Sequence, residues 1–375
     1  MSTPRTIVIA TSSWRHGAAV PSHFKALADE LAQRGHRVTL LLDRHAHDLV
    51  APAGNPAVLT WPSVRPTRWR DALFAYRLFA QPRPDLLLAN FGAVNVMTLA
   101  GWLRGVPARL AWYHTLQAAL AIDQQSTAWR RKLQAMRKRL VYQFVTHFVP
   151  VSRAAQADLR TGFGIPADRC RVLYNPLHDP LAQAEDAPPL AQQVLCVGRF
   201  DPVKGQDVLL RAWASVHAEF PELRLVLAGD GALREPYQAL AQTLGIADAV
   251  VFHGNAAHDE VLRLLQASVL SVVPSRNDNC PLTVIESLAC GTPVVASRVG
   301  GIPELFDDNT EGFLVPPDDP VTLADRIGRI LRDAALRQRL SVNARQRFLA
   351  RYEMQRVVKD EADWLEQLAA SAQPL

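Results

Sequence analysis

The chain has 375 residues, a formal charge of +5 and an ordinary balance of apolar and charged side chains. This composition excludes a disordered chain, and the length favours two domains over one. The four cysteines form no C-x-x-C pair, so neither a zinc site nor a disulfide framework is indicated. The apolar run Ile7–Ala10 is too short for a signal peptide, and no stretch approaches the roughly 18 apolar residues of a membrane span. We therefore expect a soluble, cytoplasmic protein.

In the first half of the chain, short apolar runs alternate with stretches of helical spacing. Val20–Arg34 has Phe24, Leu27 and Leu31 on one face, which predicts an amphipathic helix. Strands are predicted at Thr6–Ala10, Val38–Leu42, Asp85–Ala89, Arg109–Trp112 and His147–Val151. Continuous apolar runs joined by helices are typical of parallel strands in a doubly wound sheet.

A basic segment before the last of these strands is predicted to be a helix from Trp129 to Phe144. Its cations are Arg130, Arg131, Lys132, Arg137, Lys138 and Arg139. Its apolar residues at helical spacing, which we expect to face the core, are Leu133, Met136, Leu140 and Phe144. A solvated helix face and docking on an anionic membrane both remain open. Nucleic-acid binding is not expected, because no aromatic residues alternate with the cations as a stacking platform requires.

The alternation stops at Asn175–Pro189, a proline-rich stretch that predicts a linker. It resumes with strands predicted at Val194–Val197, Leu225–Ala228, Val250–Phe252, Val269–Val273 and Pro293–Ala296, and the chain beyond Pro320 is predicted to be helical. The predicted fold class is α/β, with two doubly wound, Rossmann-like domains that face each other across a cleft. The expected domains are 1–175 and 191–350, joined by a linker at 176–190 and followed by a helix at 351–375 that can return to the first domain.

Two cations follow the first predicted strand of the second domain. Arg199 and Lys204 lie just ahead of a helix predicted from about Gln206, whose N-terminus carries partial positive charge. A bound anion would relieve this repulsion, and cations beside exposed backbone N–H groups suit a diphosphate. The alternative is a pair of solvated loop cations with no ligand.

A second candidate cluster follows the strand Val269–Val273. Asp278 precedes a helix that we expect to begin at Pro281, and Glu286 lies in that helix. Backbone N–H groups of Asn279–Thr283 would meet phosphate or sugar oxygens, and carboxylates accept hydrogen bonds from sugar or ribose hydroxyls. For Glu286 the alternative is a solvent-facing position. The sequence has no Walker loop, no G-x-G-x-x-G after the first strand and no D-x-D triplet, which disfavours a P-loop NTPase, an NAD enzyme and a metal-bound diphosphate.

Together these segments resemble the retaining nucleotide-sugar glycosyltransferases of the GT-B fold, specifically glycosyltransferase family 4. The most specific stretches are Val197–Gly205 and Pro274–Ser297, the second of which contains E-S-L-A-C-G-T-P-V-V-A from Glu286. Supporting pieces are Gly35–Val38, Val151–Ser152, Tyr174–Pro176, Ala228–Gly231, Phe252–Gly254 and Gly312–Val315. The likeness covers nearly the whole chain.

The resemblance implies roles for individual residues. Arg199 and Lys204 would bind the donor diphosphate and stabilise the leaving group, and Glu286 would hold the ribose hydroxyls. Asp278 stands where the family has a glutamate and would reach the donor sugar with a shorter arm, and His114 would contact the same sugar. The other implied donor-binding residues are Gly17, Gly254, Asn279, Pro281, Leu282 and Thr283. Gly17 falls at a glycine-rich turn of the first domain, where Ala18 replaces one customary glycine.

The chemistry implied by the resemblance is transfer with retention of configuration, in which the departing phosphate oxygen takes the proton of the acceptor hydroxyl. No cofactor and no metal ion are expected, since the nucleotide sugar is a substrate. The donor would bind to residues 190–320, and a sugar or lipid-linked acceptor would bind to residues 1–175. Synthesis of cell-surface polysaccharide, lipopolysaccharide or glycolipid is the expected setting. Two alternatives remain: another GT-B enzyme, such as a nucleotide-sugar epimerase or a phosphorylase, and a sugar-nucleotide-binding protein without turnover.

Overall fold

The computed structural model describes residues 3–11, 19–43, 54–64, 66–114, 116, 128–182 and 190–371, except the side chains of residues 128 and 130–134. By their contacts these residues form two compact units. The first unit contains the described residues before 115, residues 128–175 and those after 353, and the second contains Leu116 and the described residues of 176–353. The boundary between Asn175 and Pro176 lies at the start of the proline-rich stretch.

A six-stranded parallel sheet forms the centre of the first unit. Its strands are β1 (Thr6–Ala10), β2 (Arg37–Leu42), β3 (Ala57–Thr60), β4 (Leu86–Ala89), β5 (Ala108–Tyr113) and β6 (His147–Pro150). Their order across the sheet is β3-β2-β1-β4-β5-β6. The helices that follow in the chain are α1 (Ala19–Gln33), α2 (Trp69–Leu78), α3 (Ala93–Leu103), α4 (Ala128–Tyr142) and α5 (Arg153–Phe163).

The second unit has a sheet of the same kind. Its strands are β7 (Gln193–Val197), β8 (Arg224–Ala228), β9 (Val250–Gly254), β10 (Leu270–Val273), β11 (Val294–Ser297) and β12 (Gly312–Val315), in the order β12-β11-β10-β7-β8-β9. Its helices are α6 (Gln206–Glu219), α7 (Arg234–Thr243), α8 (His258–Ala267), α9 (Leu282–Ala289), α10 (Ile302–Leu305), α11 (Pro320–Arg332) and α12 (Ala334–Arg351). A 3₁₀ turn, Pro202–Lys204, precedes α6.

A final helix, α13 (Met354–Ser371), packs on α1 within the first unit. It buries residues at helical spacing, among them Val358, Ala362 and Leu365. Nε2 of the buried His23 on α1 lies 2.6 Å from Oε2 of the buried Glu361 on α13. Because an unpartnered buried carboxylate is costly, this contact fixes the register of the two helices.

The two sheets reverse their strand order at equivalent places, between β1 and β4 and between β7 and β10. In doubly wound sheets ligands bind at such a switch point, beside the carboxyl ends of the strands. The strands at or beside these points are largely apolar, and β4, β10 and β11 are buried at every residue. Helices cover both faces of parallel sheets, which explains these continuous apolar runs.

The predicted α/β fold class is confirmed, and all ten predicted strands are present with ends that differ by two residues or fewer. The sequence did not predict β3 or β12. Three of the four residues of β3 are exposed, and β12 begins with Gly312, a residue that is unfavourable in strands. The predicted start of α9 was also wrong by one residue, because Pro281 is an extended N-cap and the helix begins at Leu282.

The orientation predicted for the basic helix was wrong. Met136 and Leu140 were expected in the core, but each is 57% exposed. Val141 and Tyr142 are buried instead, and the Tyr142 ring packs on Phe148 at 5.1 Å. Successive residues are about 100° apart around a helix. Because Val141 and Tyr142 face the core, the stripe that contains Met136 and Leu140 faces outwards. The side chain of Leu133 lies outside the described residues, and Phe144 is partly buried against Trp102.

Candidate functional site

The loops that follow β7 and β10 meet at the carboxyl edge of the second sheet. Lys204 ends the 3₁₀ turn, and its Nζ lies 2.7 Å from Oδ2 of Asp278. The hydroxyl of Ser275 donates to the same carboxylate oxygen at 3.3 Å. Lys204 and Asp278 therefore form one ion pair, although they lie 74 positions apart in the chain. They were predicted to bind the diphosphate and the donor sugar, respectively.

Arg199 lies on the same loop as Lys204, and its side chain is 68% exposed. One guanidinium nitrogen lies 3.0 Å from Oδ2 of Asp201. The other carboxylate oxygen of Asp201 accepts hydrogen bonds from the N–H groups of Val203 and Lys204 and so caps the 3₁₀ turn. Two carboxylates within the protein thus oppose the predicted repulsion between these cations and the N-terminus of α6.

Arg276 ties these loops together, and the sequence did not reveal this role. It donates to both carboxylate oxygens of Asp207 on α6 at 2.9 and 2.8 Å, to the carbonyl of Pro202 at 2.7 Å and to Asp318 at 2.7 Å. The bond to Asp207 raises the pKa of Arg276, against the effect of burial. No local pattern signals such a role, because Asp207 lies 69 residues away.

Glycines allow the loops to approach each other closely. Gly205 has φ +67°, and a Cβ there would lie 2.2 Å from the carbonyl oxygen of Pro274. Gly300 has φ +52°, and a Cβ there would lie 1.8 Å from the carbonyl oxygen of Asp278. Both positions require glycine for backbone conformation and for space. These two glycines thus hold the loops that carry Lys204 and Asp278 in place.

The N-terminus of α9 lies directly after this cluster in the chain. Pro281 is the N-cap and has no side-chain acceptor, so it leaves the first N–H groups, those of Leu282 and Thr283, without a side-chain cap of their own. The N–H of the buried Asn279 donates to Oδ1 of Asp278. The predicted donor-binding stretch is therefore a helix N-terminus with partial positive charge next to the Lys204–Asp278 pair.

Glu286 is buried in α9, with 6% of its surface exposed, so the solvent-facing alternative is excluded. Its Oε1 lies 3.3 Å from Nδ1 of His258 at the start of α8. The hydrogen bond to Glu286 raises the pKa of His258, although burial opposes this shift. His258 was not singled out in the sequence. Gly254 ends β9 with φ +86°, and its carbonyl accepts from the N–H of Gly229 at 2.7 Å.

His114 follows β5 in the first unit. Its ring stacks on that of Phe91, with 4.6 Å between centroids and 15° between planes. Burial, with a smaller effect of the neighbouring His23, lowers the pKa of His114 to about 3, so its imidazole is neutral at physiological pH. Gly17, the other predicted residue of this unit's first turn, lies outside the described residues.

The described residues contain neither a candidate metal cluster nor a candidate membrane span. Within the ranges that the structure describes, no three His, Cys, Asp or Glu side chains are grouped so as to hold a metal ion. None of the described helices is both long and apolar enough to cross a membrane.

The sequence is similar to two glycosyltransferase family models and to several known glycosyltransferases. Residues 181–347 match the family model described as Glycosyl transferases group 1, and residues 20–179 match the model described as Glycosyltransferase Family 4. The D-inositol 3-phosphate glycosyltransferase of Acidothermus cellulolyticus is 40% identical over 193 residues, which cover 49% of this chain and 38% of that protein. The matched stretch spans about two fifths of the length of such curated relatives.

Solved structures show the same fold over nearly the whole chain. Sucrose-phosphate synthase from Thermosynechococcus elongatus superposes with a TM-score of 0.76 at 24% identity, covering 98% of this chain and 100% of that one. Anabaena HepE in complex with UDP-glucose has a TM-score of 0.76 at 20% identity, covering 97% and 100%. Because the two family models together span most of the sequence, the chain belongs to glycosyltransferase family 4.

Proposed function

We propose that this protein transfers a sugar from a nucleotide-sugar donor to an acceptor hydroxyl, with retention of anomeric configuration. The observation that carries the proposal is the Lys204–Asp278 ion pair at the carboxyl edge of the second sheet. Lys204 lies on the same loop as Arg199, and Asp278 lies just before the N-terminus of α9. The similar HepE structure contains UDP-glucose, which supports a donor of this class.

The charges at this edge support a proposed mode of binding for the donor diphosphate. Arg199 and Lys204 are balanced by Asp201 and Asp278, so the four side chains carry no net formal charge. An incoming diphosphate therefore competes with Asp278 for Lys204 and gains further stabilisation from the N–H groups of Leu282 and Thr283. Once released, the Asp278 carboxylate is available to accept hydrogen bonds from donor-sugar hydroxyls.

Glu286 is proposed to hold the ribose. His258 contacts Oε1, which leaves the second carboxylate oxygen of Glu286 for ribose hydroxyls. A buried carboxylate that already has one partner is held in one orientation, so less conformational freedom is lost when the nucleotide binds.

In the proposed reaction the acceptor hydroxyl attacks the face of the sugar that the diphosphate leaves, through an oxocarbenium-like transition state in which the bond to the departing phosphate oxygen is largely broken. The bond between the acceptor oxygen and the sugar forms as the proton of the hydroxyl passes to the departing phosphate oxygen. Arg199, Lys204 and the N-terminus of α9 stabilise the charge of the leaving group in place of a metal ion. His114 is proposed to face the donor sugar as a neutral imidazole.

This proposal is tested by transfer assays with purified protein, EDTA and nucleotide sugars selected by a thermal-shift panel. We expect a product whose anomeric proton shows the configuration of the donor in NMR spectra, formed at the same rate with EDTA as without. An inverted product, or activity that EDTA abolishes and Mg²⁺ or Mn²⁺ restores, contradicts the mechanism. Donor turnover without an acceptor points to the epimerase alternative.

We further propose that the acceptor is met at an anionic membrane, in the synthesis of cell-surface polysaccharide, lipopolysaccharide or glycolipid. The exposed side of α4, here called the α4 surface, consists of Trp129, Met136, Arg137, Arg139 and Leu140. It combines apolar side chains that can enter the headgroup layer with cations that each contribute about 1 kcal/mol at an anionic surface. Exposed Trp102 and Leu103 of the neighbouring α3 add to the apolar area.

Liposome sedimentation tests this docking. Binding to vesicles with phosphatidylglycerol is expected to weaken at least about tenfold in the Arg137→Glu/Arg139→Glu variant and at high salt. Arg337→Glu/Arg339→Glu on α12 has the same spacing and change of charge and should bind as the parent does. Equal binding to neutral and anionic vesicles, or none to either, would contradict docking on an anionic membrane.

A further inference from the structure

The turn after β4 contains a strained aromatic residue. Phe91 has φ +47°, in the left-handed region that favours glycine, asparagine and aspartate. The other described non-glycine residues with positive φ are Asn309 and Asp318, which tolerate this conformation through their short polar side chains. Phenylalanine has no such compensation, so the turn holds it at a cost in free energy.

Packing does not account for this strain. The Phe91 side chain lies on the neutral imidazole of His114, yet 49% of the residue is exposed. Asparagine or glycine would satisfy the turn without strain, and a packing role would bury the ring. Residues kept in strained conformations cluster at functional sites, which makes the exposed face of Phe91 a candidate binding surface.

The residue before Phe91 in the chain has a buried polar side chain. Asn90 is 1% exposed, and its Nδ2 donates to Oγ1 of Thr11 at 3.1 Å. Its Oδ1 is buried and has no hydrogen-bond partner among the described residues. An unmet buried acceptor costs free energy that a donor group can recover, so the turn is suited to a ligand that brings hydroxyl groups.

We propose that Phe91 is the stacking platform for an uncharged hydroxylated ring of the acceptor, either a sugar or a cyclitol. The C–H face of such a ring carries partial positive charge and suits the negative face of an aromatic ring, while its hydroxyls can donate to Asn90. Thr11, Asn90, Phe91 and neutral His114 carry no formal charge, so a ring is favoured over a phosphate or a lipid headgroup. The inference rests on the proposed function, because it names the acceptor of that reaction.

Saturation-transfer NMR tests this platform without the transfer reaction. The probes are methyl α-D-glucopyranoside, methyl α-D-mannopyranoside and myo-inositol. We expect saturation of ring protons in at least one probe, a loss of about 3- to 10-fold in Phe91→Ala and recovery in Phe91→Tyr. No saturation with any probe, or the same saturation in Phe91→Ala, overturns the proposal.

Two further measurements separate this inference from the proposed function and from a structural role. Calorimetry with UDP and UDP-glucose should give the parent affinities in Phe91→Ala, whereas selective weakening of UDP-glucose would assign the ring to the donor and overturn the acceptor assignment. Failure of the parent to bind UDP, GDP and ADP alike would instead count against the proposed function. Phe91→Asn should keep or raise Tm, because it removes the strain, while it loses probe saturation. A lower Tm with unchanged saturation makes Phe91 a structural residue.

Discussion

The carboxyl edges of the two sheets share a strand order and differ in chemistry. In the second unit the edge is held by charged pairs, Lys204 with Asp278 and Arg276 with Asp207. In the first unit the described residues Asn90 and Phe91 are uncharged, and His114 is neutral. The same topology can thus carry charged pairs at one edge and uncharged side chains at the other, because specificity lies in the residues at the strand ends.

The largest effect is expected at the charged edge. Lys204→Ala should lower turnover by about 100- to 1000-fold, because it removes a preorganised cation from the leaving group. Initial rates with the donor found by thermal shift measure this loss. Arg332→Ala removes a similar ion pair with Glu219, formed at 2.5 and 2.7 Å far from this edge in the chain, and should retain the parent rate. A Lys204 variant as active as the control would refute the diphosphate assignment.

Smaller effects are expected from the two carboxylates of that edge, and they should differ between transfer rate and nucleotide affinity. Asp278→Asn is expected to slow transfer about 10- to 100-fold with little change in the affinity for bare nucleoside diphosphate, because Asp278 is proposed to bind the sugar. Glu286→Gln should weaken the binding of bare nucleotide about tenfold, because Glu286 is proposed to bind the ribose. Calorimetry and rate measurements on the same preparations compare them. If both substitutions change nucleotide affinity equally, the division of roles is wrong.

Removal of Arg276 should affect the framework of the edge. Arg276→Ala removes the two hydrogen bonds to Asp207 and the hydrogen bond to the Pro202 carbonyl. We therefore expect a loss of about 1–2 kcal/mol in the free energy of unfolding. Donor affinity should fall less than in Lys204→Ala. Arg298→Ala, whose ion pair with Asp308 is exposed, provides the control in denaturant unfolding. Equal stability of the two variants would mean that Arg276 does not hold the loops.

The smallest effect concerns pH. The folded-state pKa of His258 is raised above its ordinary value of 6.5 by Glu286, so its contribution to stability is full below about pH 6.5 and is lost as pH rises through the raised pKa. We expect less than about 1 kcal/mol, because the pair is partly solvated. His258→Gln should remove this dependence from unfolding curves measured above pH 6.5. His253→Gln, beside Glu260, should not remove it. An unchanged pH profile in His258→Gln would contradict the coupling to Glu286.

How much the sequence predicts also differs between these edges. Ten of the twelve strands consist largely of apolar residues, so the hydrophobic pattern alone locates them. Arg199, Lys204, Asp278 and Glu286 stand out because they follow such strands. The contacts that unite them were not predictable, since Lys204 and Asp278 are 74 residues apart and their pairing depends on tertiary packing. Phe91 and Asn90 form no motif, and the strain of Phe91 exists only in the backbone conformation.

The same limit explains the error in α4. Leu133, Met136, Leu140 and Phe144 have helical spacing, but so does the stripe that contains Val141. The choice of the buried stripe depends on the two aromatic residues that pack on Tyr142. These are Phe148 and Phe163, whose ring centroids lie 5.1 and 5.0 Å from that of Tyr142. Tertiary contacts of this kind override a local hydrophobic pattern.

The most direct test of the account is calorimetric titration of UDP, GDP and ADP into the parent protein, Lys204→Ala and Phe91→Ala, all in EDTA. We predict that at least one nucleoside diphosphate binds the parent, that Lys204→Ala weakens this binding at least about tenfold, and that Phe91→Ala leaves it unchanged. A Lys204→Ala variant that binds the nucleotide as tightly as the parent would contradict the claim that the charged edge of the second unit is the donor site.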